Sequence, residues 1–216
     1  MSGESSETGR GLSRIEGFSD AVFSVAITLL VLDLKVPHLD DVSASALWQA
    51  LLRSWPAYVA LLASFIQVLI MWVNHHGILR HMRGVDPSFN FANGFLLLLV
   101  ILVPFPTALV SAYLTTPAAN VACAVYAGTY VLINIAYNLL WYAATRGRRL
   151  LRPHVDEAAV RRIRNRYLAG FPAYLSAVGL AFVRPWMSLA VCAGLYVLWL
   201  RMGAVHHEAI TRTTPS

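Results

Sequence analysis

Apolar runs of membrane-span length alternate with short polar clusters along the whole chain. The first run, over 21–32, is preceded by Arg14, Glu16, Ser19 and Asp20 and closed by Asp33, Lys35 and Pro37. It predicts a helix that starts at 13 or 18 and ends at 36. An acidic loop follows at 38–41, and Ser43 is placed to cap the next helix. That helix is predicted over 47–79, with Pro56 causing an interfacial turn or kink before the apolar stretch 57–73 and with Asn74-His75-His76 near its far end. A third helix over 89–113 is expected to kink at Pro104 and Pro106, its freed carbonyls buried against neighbours. The fourth spans 118–145 and carries Asn134 and Asn138 on one face, where they join helices by hydrogen bonds. The fifth spans 167–183 with Pro172 near its start, and the sixth 186–204. The fold expected is therefore an all-α integral membrane protein with six transmembrane helices over 13–205. A disordered tail is expected over 1–12 and a flexible one over 206–216.

Composition narrows the class further. Hydrophobic residues make up 57% of the 216 positions and charged residues 13%, against about 25% charged in soluble domains. The net charge of +6 raises nucleic acid as a partner, but the arginines lie in loops between apolar runs, a topogenic pattern. The N-terminal tail, the loop at 80–86, the connector 146–166 and the C-terminal end carry 14 of the 17 Lys and Arg residues, and the opposite loops carry three. Both termini are thus expected in the cytoplasm, in a multi-pass protein of the cell membrane whose partner is the lipid bilayer. Cys123 and Cys192 sit inside apolar runs and read as small buried residues. No cleavable leader is expected.

At 100° per residue, Val25, Thr28, Leu29 and Leu32 share one stripe of the first helix. Such a stripe is either core or lipid-facing surface, or the wall of a pore narrowed by rings of apolar side chains that gate by dewetting. Geometry alone leaves both open. Asp20 lies roughly 130° around the helix from that stripe, where it is either an interfacial cap or part of a buried polar network. The end of the second helix returns to the same side, so Arg14, Asn74, His75 and His76 are its expected partners, and a network containing histidine can titrate.

Arg14-x-x-x-Phe18-Ser19-Asp20 followed by AVFSVAITLLVLDLKVP, with Trp72-x-Asn74-His75-His76 late in the second helix, resembles the signature of the transmembrane protein 175 family. These are potassium channels of endolysosomes and bacteria. The resemblance implies a single-repeat chain that assembles as a homotetramer, with the first helix lining the pore and no carbonyl selectivity filter. It implies a constriction at Val25, Leu29 and Leu32, with Thr28 supplying hydroxyls linked to potassium preference. Val25 is smaller than the Ile or Leu implied at its position, so a wider ring is expected there. Arg14, Phe18, Ser19 and Asp20 are implied to form a packing and gating network with Trp72, Asn74, His75 and His76.

Asp33, Asp40 and Asp41 are expected at the extracellular mouth, enriching cations. The connector arginines set topology, with contact to anionic lipid as a second role. His206-His207-Glu208 is a weak metal pattern. No cofactor is expected beyond the permeant potassium ion. A proton-coupled cation transporter using Asp20 and His75 is the alternative to a channel. An intramembrane enzyme is set aside because the apolar runs hold no paired acids, no Ser with a base and no HExxH pattern. No helix carries the arginine repeat of a charged voltage sensor.

Overall fold

A computed structural model describes residues 2–40, 42–153 and 155–211, with side chains over 9–40, 42–153 and 155–201. Eight α-helices follow one another: α1 Ser2–Leu29, α2 Ala44–Arg53, α3 Trp55–Arg80, α4 Pro87–Leu102, α5 Pro104–Tyr113, α6 Ala119–Thr145, α7 Glu157–Val183 and α8 Pro185–Thr211. Five segments, Gly9–Asp33, Trp55–Arg80, Pro87–Tyr113, Ala119–Arg148 and Glu157–Val183, are long and apolar enough to cross a membrane; Pro185–Arg201 is a shorter apolar helix. With α4 and α5 taken as one kinked span, these make the six crossings expected.

The breaks have local causes. The Ser43 hydroxyl accepts from the Ala46 amide at 3.3 Å and starts α2, as expected. The second predicted helix divides at Ser54, because Pro56 stands in the first turn of α3, where its missing N–H costs nothing. The piece cut off, α2, has no buried residue. The Asp86 carboxylate accepts from the Phe89 amide at 2.8 Å and Pro87 opens α4. Pro104 separates α4 from α5, and the carbonyl its missing N–H frees, Val100 O, accepts instead from Val103 N at 3.1 Å, within the segment and not against a neighbour.

Three boundaries differ from expectation. α7 begins at Glu157, ten residues before 167, so the basic stretch 157–166 is the first part of a membrane-crossing helix and Pro172 lies well inside it. Acid first and bases later suits a helix start, and once nucleated the helix simply runs on into the span. For the same reason α1 is helical from Ser2 and α8 as far as Thr211, where a disordered tail over 1–12 and a flexible one over 206–216 were expected. The side chains of His206, His207 and Glu208 lie outside the described residues.

The rear of the molecule is the bundle of α6, α7 and α8, whose interior is aromatic. Tyr130 stacks on Tyr174, Tyr137 on Tyr167 and Tyr167 on Trp199, with centroids 5.6–5.8 Å apart. Asn134 and Asn138, one turn apart, both donate to the Tyr167 carbonyl at 3.1 and 3.2 Å, which ties α6 to α7 as predicted. Gly170 permits the close approach of α8: a Cβ there would stand 2.5 Å from Asn134 Nδ2 and from the Trp199 ring. At the basic end, the connector folds back onto the turn between α3 and α4. Arg83 N donates to Leu150 O at 2.8 Å and Arg152 N to His81 O at 2.9 Å. Gly147 turns the chain there with φ +66°, a value glycine adopts freely.

Candidate functional site

α1 has two faces. Ser19, Phe23 and Ala26, spaced four and three residues apart, are buried against α3 and α4, and Leu30, in the short 3-10 turn Leu30–Asp33 that continues α1, is buried beside α3 and α5. On the other side, Arg14, Phe18, Ala21, Val25, Thr28, Leu29 and Leu32 follow the same period and stand exposed. Leu32 keeps 70% of its surface uncovered and Val25 52%. Thr28 donates its hydroxyl to the Val25 carbonyl at 2.8 Å, so its oxygen stays on the exposed face while its proton is satisfied within the helix. The four residues of the predicted stripe thus come together, facing away from the rest of their own chain.

Behind them, the polar residues pair off. The Trp72 indole N–H donates to Asp20 Oδ1 at 2.8 Å. His75 Nε2 donates to Asn93 Oδ1 at 2.7 Å, and Asn93 Nδ2 donates to Ser19 Oγ at 3.0 Å. All three members of this relay are at least 97% buried, and the Phe23 ring lies against His75 with centroids 5.5 Å apart. His76 Nδ1 stands 3.0 Å from Glu16 Oε1, off the axis of a hydrogen bond, both side chains half-exposed. The Asp20, Ser19, Phe23 and Glu16 contacts join α1 to α3 or α4, and the His75–Asn93 bond ties α3 to α4 behind them. A polar relay in a low-dielectric interior fixes one packing geometry, because any shift leaves a donor or acceptor unpaired.

Three expectations need correction. Arg14 and Phe18 belong to the exposed stripe, beside a groove formed with Val85 and Asn90; the helical period carries positions 14 and 18 into line with 21 and 25 and away from Ser19. Asn74 turns toward the rear bundle, donating to the Trp199 carbonyl at 3.3 Å and to Ile70 O at 2.9 Å, since its position on α3 faces α8. Asp33 is half-buried in a crevice with Lys35, Arg53 and Tyr58, lying between the end of α1, α3 and α5, and its Oδ2 has no partner among the described residues. Asp40 is exposed, and Asp41 lies outside the described residues.

Asn93 was missed by sequence reasoning. The available signal was an amide inside the apolar run 89–103; nothing in its spacing says that it bridges two other helices. Among the described residues, no three His, Cys, Asp or Glu side chains gather as a metal site would require.

The chain is all-helical and multi-pass, and its first helix turns the exposed stripe of Val25, Thr28, Leu29 and Leu32 outward. Residues 14–104 match the family described as the endosomal/lysosomal potassium channel TMEM175. A potassium channel of Chamaesiphon minutus is 48% identical over 189 residues, covering 88% of this chain and 91% of its own. One from Streptomyces collinus is 43% identical over 204 residues, 94% of this chain and 98% of its own. The crystal structure of a lysosomal potassium-selective channel TMEM175 homolog from Chamaesiphon minutus superposes with a TM-score of 0.80 at 43% identity, covering 89% of this chain and 97% of that one. The chain belongs to the TMEM175 family, a family of ion channels.

Proposed function

We propose that this protein is a potassium channel in which four copies surround one axis, α1 from each lining the path. Potassium passes down its gradient through rings of Val25, Leu29 and Leu32, which form a hydrophobic constriction, while the Thr28 hydroxyls face the ion. No carbonyl filter is involved. Both termini lie in the cytoplasm and the protein sits in the cell membrane.

The observation that carries this reading is the exposed stripe of α1. Val25, Leu29 and Leu32 stay 52%, 37% and 70% exposed, and a constriction of apolar rings that gates by dewetting needs exposed apolar side chains of this kind. The relatives named as potassium channels support the choice of ion. The charge count, 14 basic residues at one end against three at the other, supports the orientation.

Ser19, Asp20, Trp72, His75 and His76 act as the frame that sets the rotation of α1, together with Asn93 and Glu16. A proton-coupled transporter would need Asp20 and His75 to meet the transported ion. Here Asp20 is held by Trp72 and His75 by Asn93, and neither lies on the exposed stripe. Purified protein in liposomes under a potassium gradient tests the proposal. Passive potassium flux is expected without any proton gradient, and flux that requires one, or no flux, overturns it.

A further inference from the structure

Four of the eight connector arginines are committed to protein partners. Arg148 donates to the Val155 carbonyl and Arg152 to the Met82 carbonyl; Arg149 pairs with Asp86 and Arg161 with Glu157. Arg146 differs from them. It stands exposed just beyond α6, without a partner among the described residues, at one end of an open groove of about 570 Å³ between α4 and α6.

The groove has two kinds of lining. Its length runs past Ala92 on α4 and Leu139 and Ala143 on α6. The two alanines leave the trough open, and Leu139 and Tyr142 present large exposed apolar surfaces beside it. Its end at the basic side of the molecule holds Asp86, Ser88, Arg146 and Arg149. Asp86 is fully engaged, accepting from the Phe89 amide at 2.8 Å through Oδ1 and from Arg149 at 2.6 Å through Oδ2. The pair cancels, so the end of the groove keeps one net positive charge, that of Arg146.

A trough that is apolar along a membrane-spanning helix and singly cationic where that helix leaves the membrane matches one class of molecule in shape and charge. We propose that the α4–α6 groove binds an anionic phospholipid of the inner leaflet. One acyl chain lies along Leu139, Ala143 and Ala92, and the phosphodiester meets the Arg146 guanidinium and the Ser88 hydroxyl. The planar guanidinium suits a phosphodiester, which can accept from it through two oxygens. A lipid with a net negative charge is selected because the site offers one uncompensated cation and no free carboxylate for a choline or ammonium headgroup. The leaflet assignment rests on the orientation proposed above, but binding is read without flux, so the two readings fail separately.

The test is native mass spectrometry of the delipidated protein given equal amounts of phosphatidylglycerol and phosphatidylcholine. Phosphatidylglycerol is expected to be retained in preference. Arg146→Ala is expected to lower that retention about fivefold, the weight of one basic residue at an anionic surface. Arg162→Ala removes an equally exposed connector arginine outside the groove and should leave retention unchanged. Leu139→Trp, made at a half-exposed position, fills the groove and should lower retention although Arg146 is intact. Inorganic phosphate should not compete, because it has no chain to seat. Equal loss in the two arginine variants, equal retention of the two lipids, displacement by phosphate, or a structure of the assembled protein with a neighbouring copy covering the groove would each overturn the proposal.

Discussion

α1 and the α6–α8 bundle are both built of apolar helices, yet they use their surfaces in opposite ways. The bundle turns its aromatic rings inward and stacks them, and its two asparagines are spent on a neighbouring backbone. α1 commits a single stripe, Ser19 to Leu30, to its own chain and leaves the opposite stripe open. Hydropathy alone does not separate the two. What separates them is where the matching surface lies: within the chain for the bundle and, in the proposed assembly, in other copies for α1.

Substitutions on the two faces of α1 should therefore split cleanly between transport and stability. Leu29→Ala combined with Leu32→Ala widens the proposed constriction and is expected to raise passive potassium flux several-fold in liposomes. The unfolding temperature should fall less than for the buried stripe, because Leu32 is 70% exposed and Leu29 37%. Unchanged flux would erase the contrast and the pore with it.

The buried stripe should behave in reverse. Asn93→Leu leaves His75 and Ser19 without their shared partner, at a cost of about 1–3 kcal/mol for each unsatisfied group. A lowered unfolding temperature of the detergent-solubilised protein checks it. In the rear bundle, Gly170→Ala forces a methyl into the Asn134–Trp199 contact and is expected to cost about 1–3 kcal/mol by overpacking, with potassium preference retained.

The smallest effect expected is at Asp86. The Phe89 amide, with Arg149, holds its carboxyl below the usual carboxylate range despite some burial. The folded protein thus favours the ionised form. That contribution is fully present above an ordinary carboxylate pKa of about 4 and is lost as pH falls through the lower folded value. An acid-side drop in unfolding temperature that Asp86→Asn flattens is the expected result; because Arg149 is largely exposed, the change should be slight.

Much of this architecture was legible from periodicity and punctuation. Ser43, Asp86 and Pro104 act where they stand in the sequence, and the spacing of Val25, Thr28, Leu29 and Leu32 fixes a shared face in any α-helix. The stripe can be read because it depends on one helix only. Helical geometry narrowed the partners of Asp20 to the right end of α3, and the resemblance added Trp72, but neither says which side chain pairs with which. Trp72 takes it, while His75 is drawn to Asn93 and Asn74 to α8. Such choices depend on the mutual rotation of three helices, which no local pattern encodes. The acid-first, base-later stretch 156–167 reads as a helix entrance, and α7 does start there; what hydropathy does not mark is that this charged part and the apolar span from 167 form one continuous helix.

The open stripe of α1 also has a genetic consequence. A path lined by one helix from every copy has no spare parts, so a chain that folds and assembles but carries a defective stripe spoils each ring it enters. For the proposed ring of four, equal expression of normal and defective chains leaves roughly one ring in sixteen wholly normal. Variants on the exposed face of α1 should thus act dominantly. Those in the rear bundle, which remove the chain before it assembles, should be masked by a normal copy.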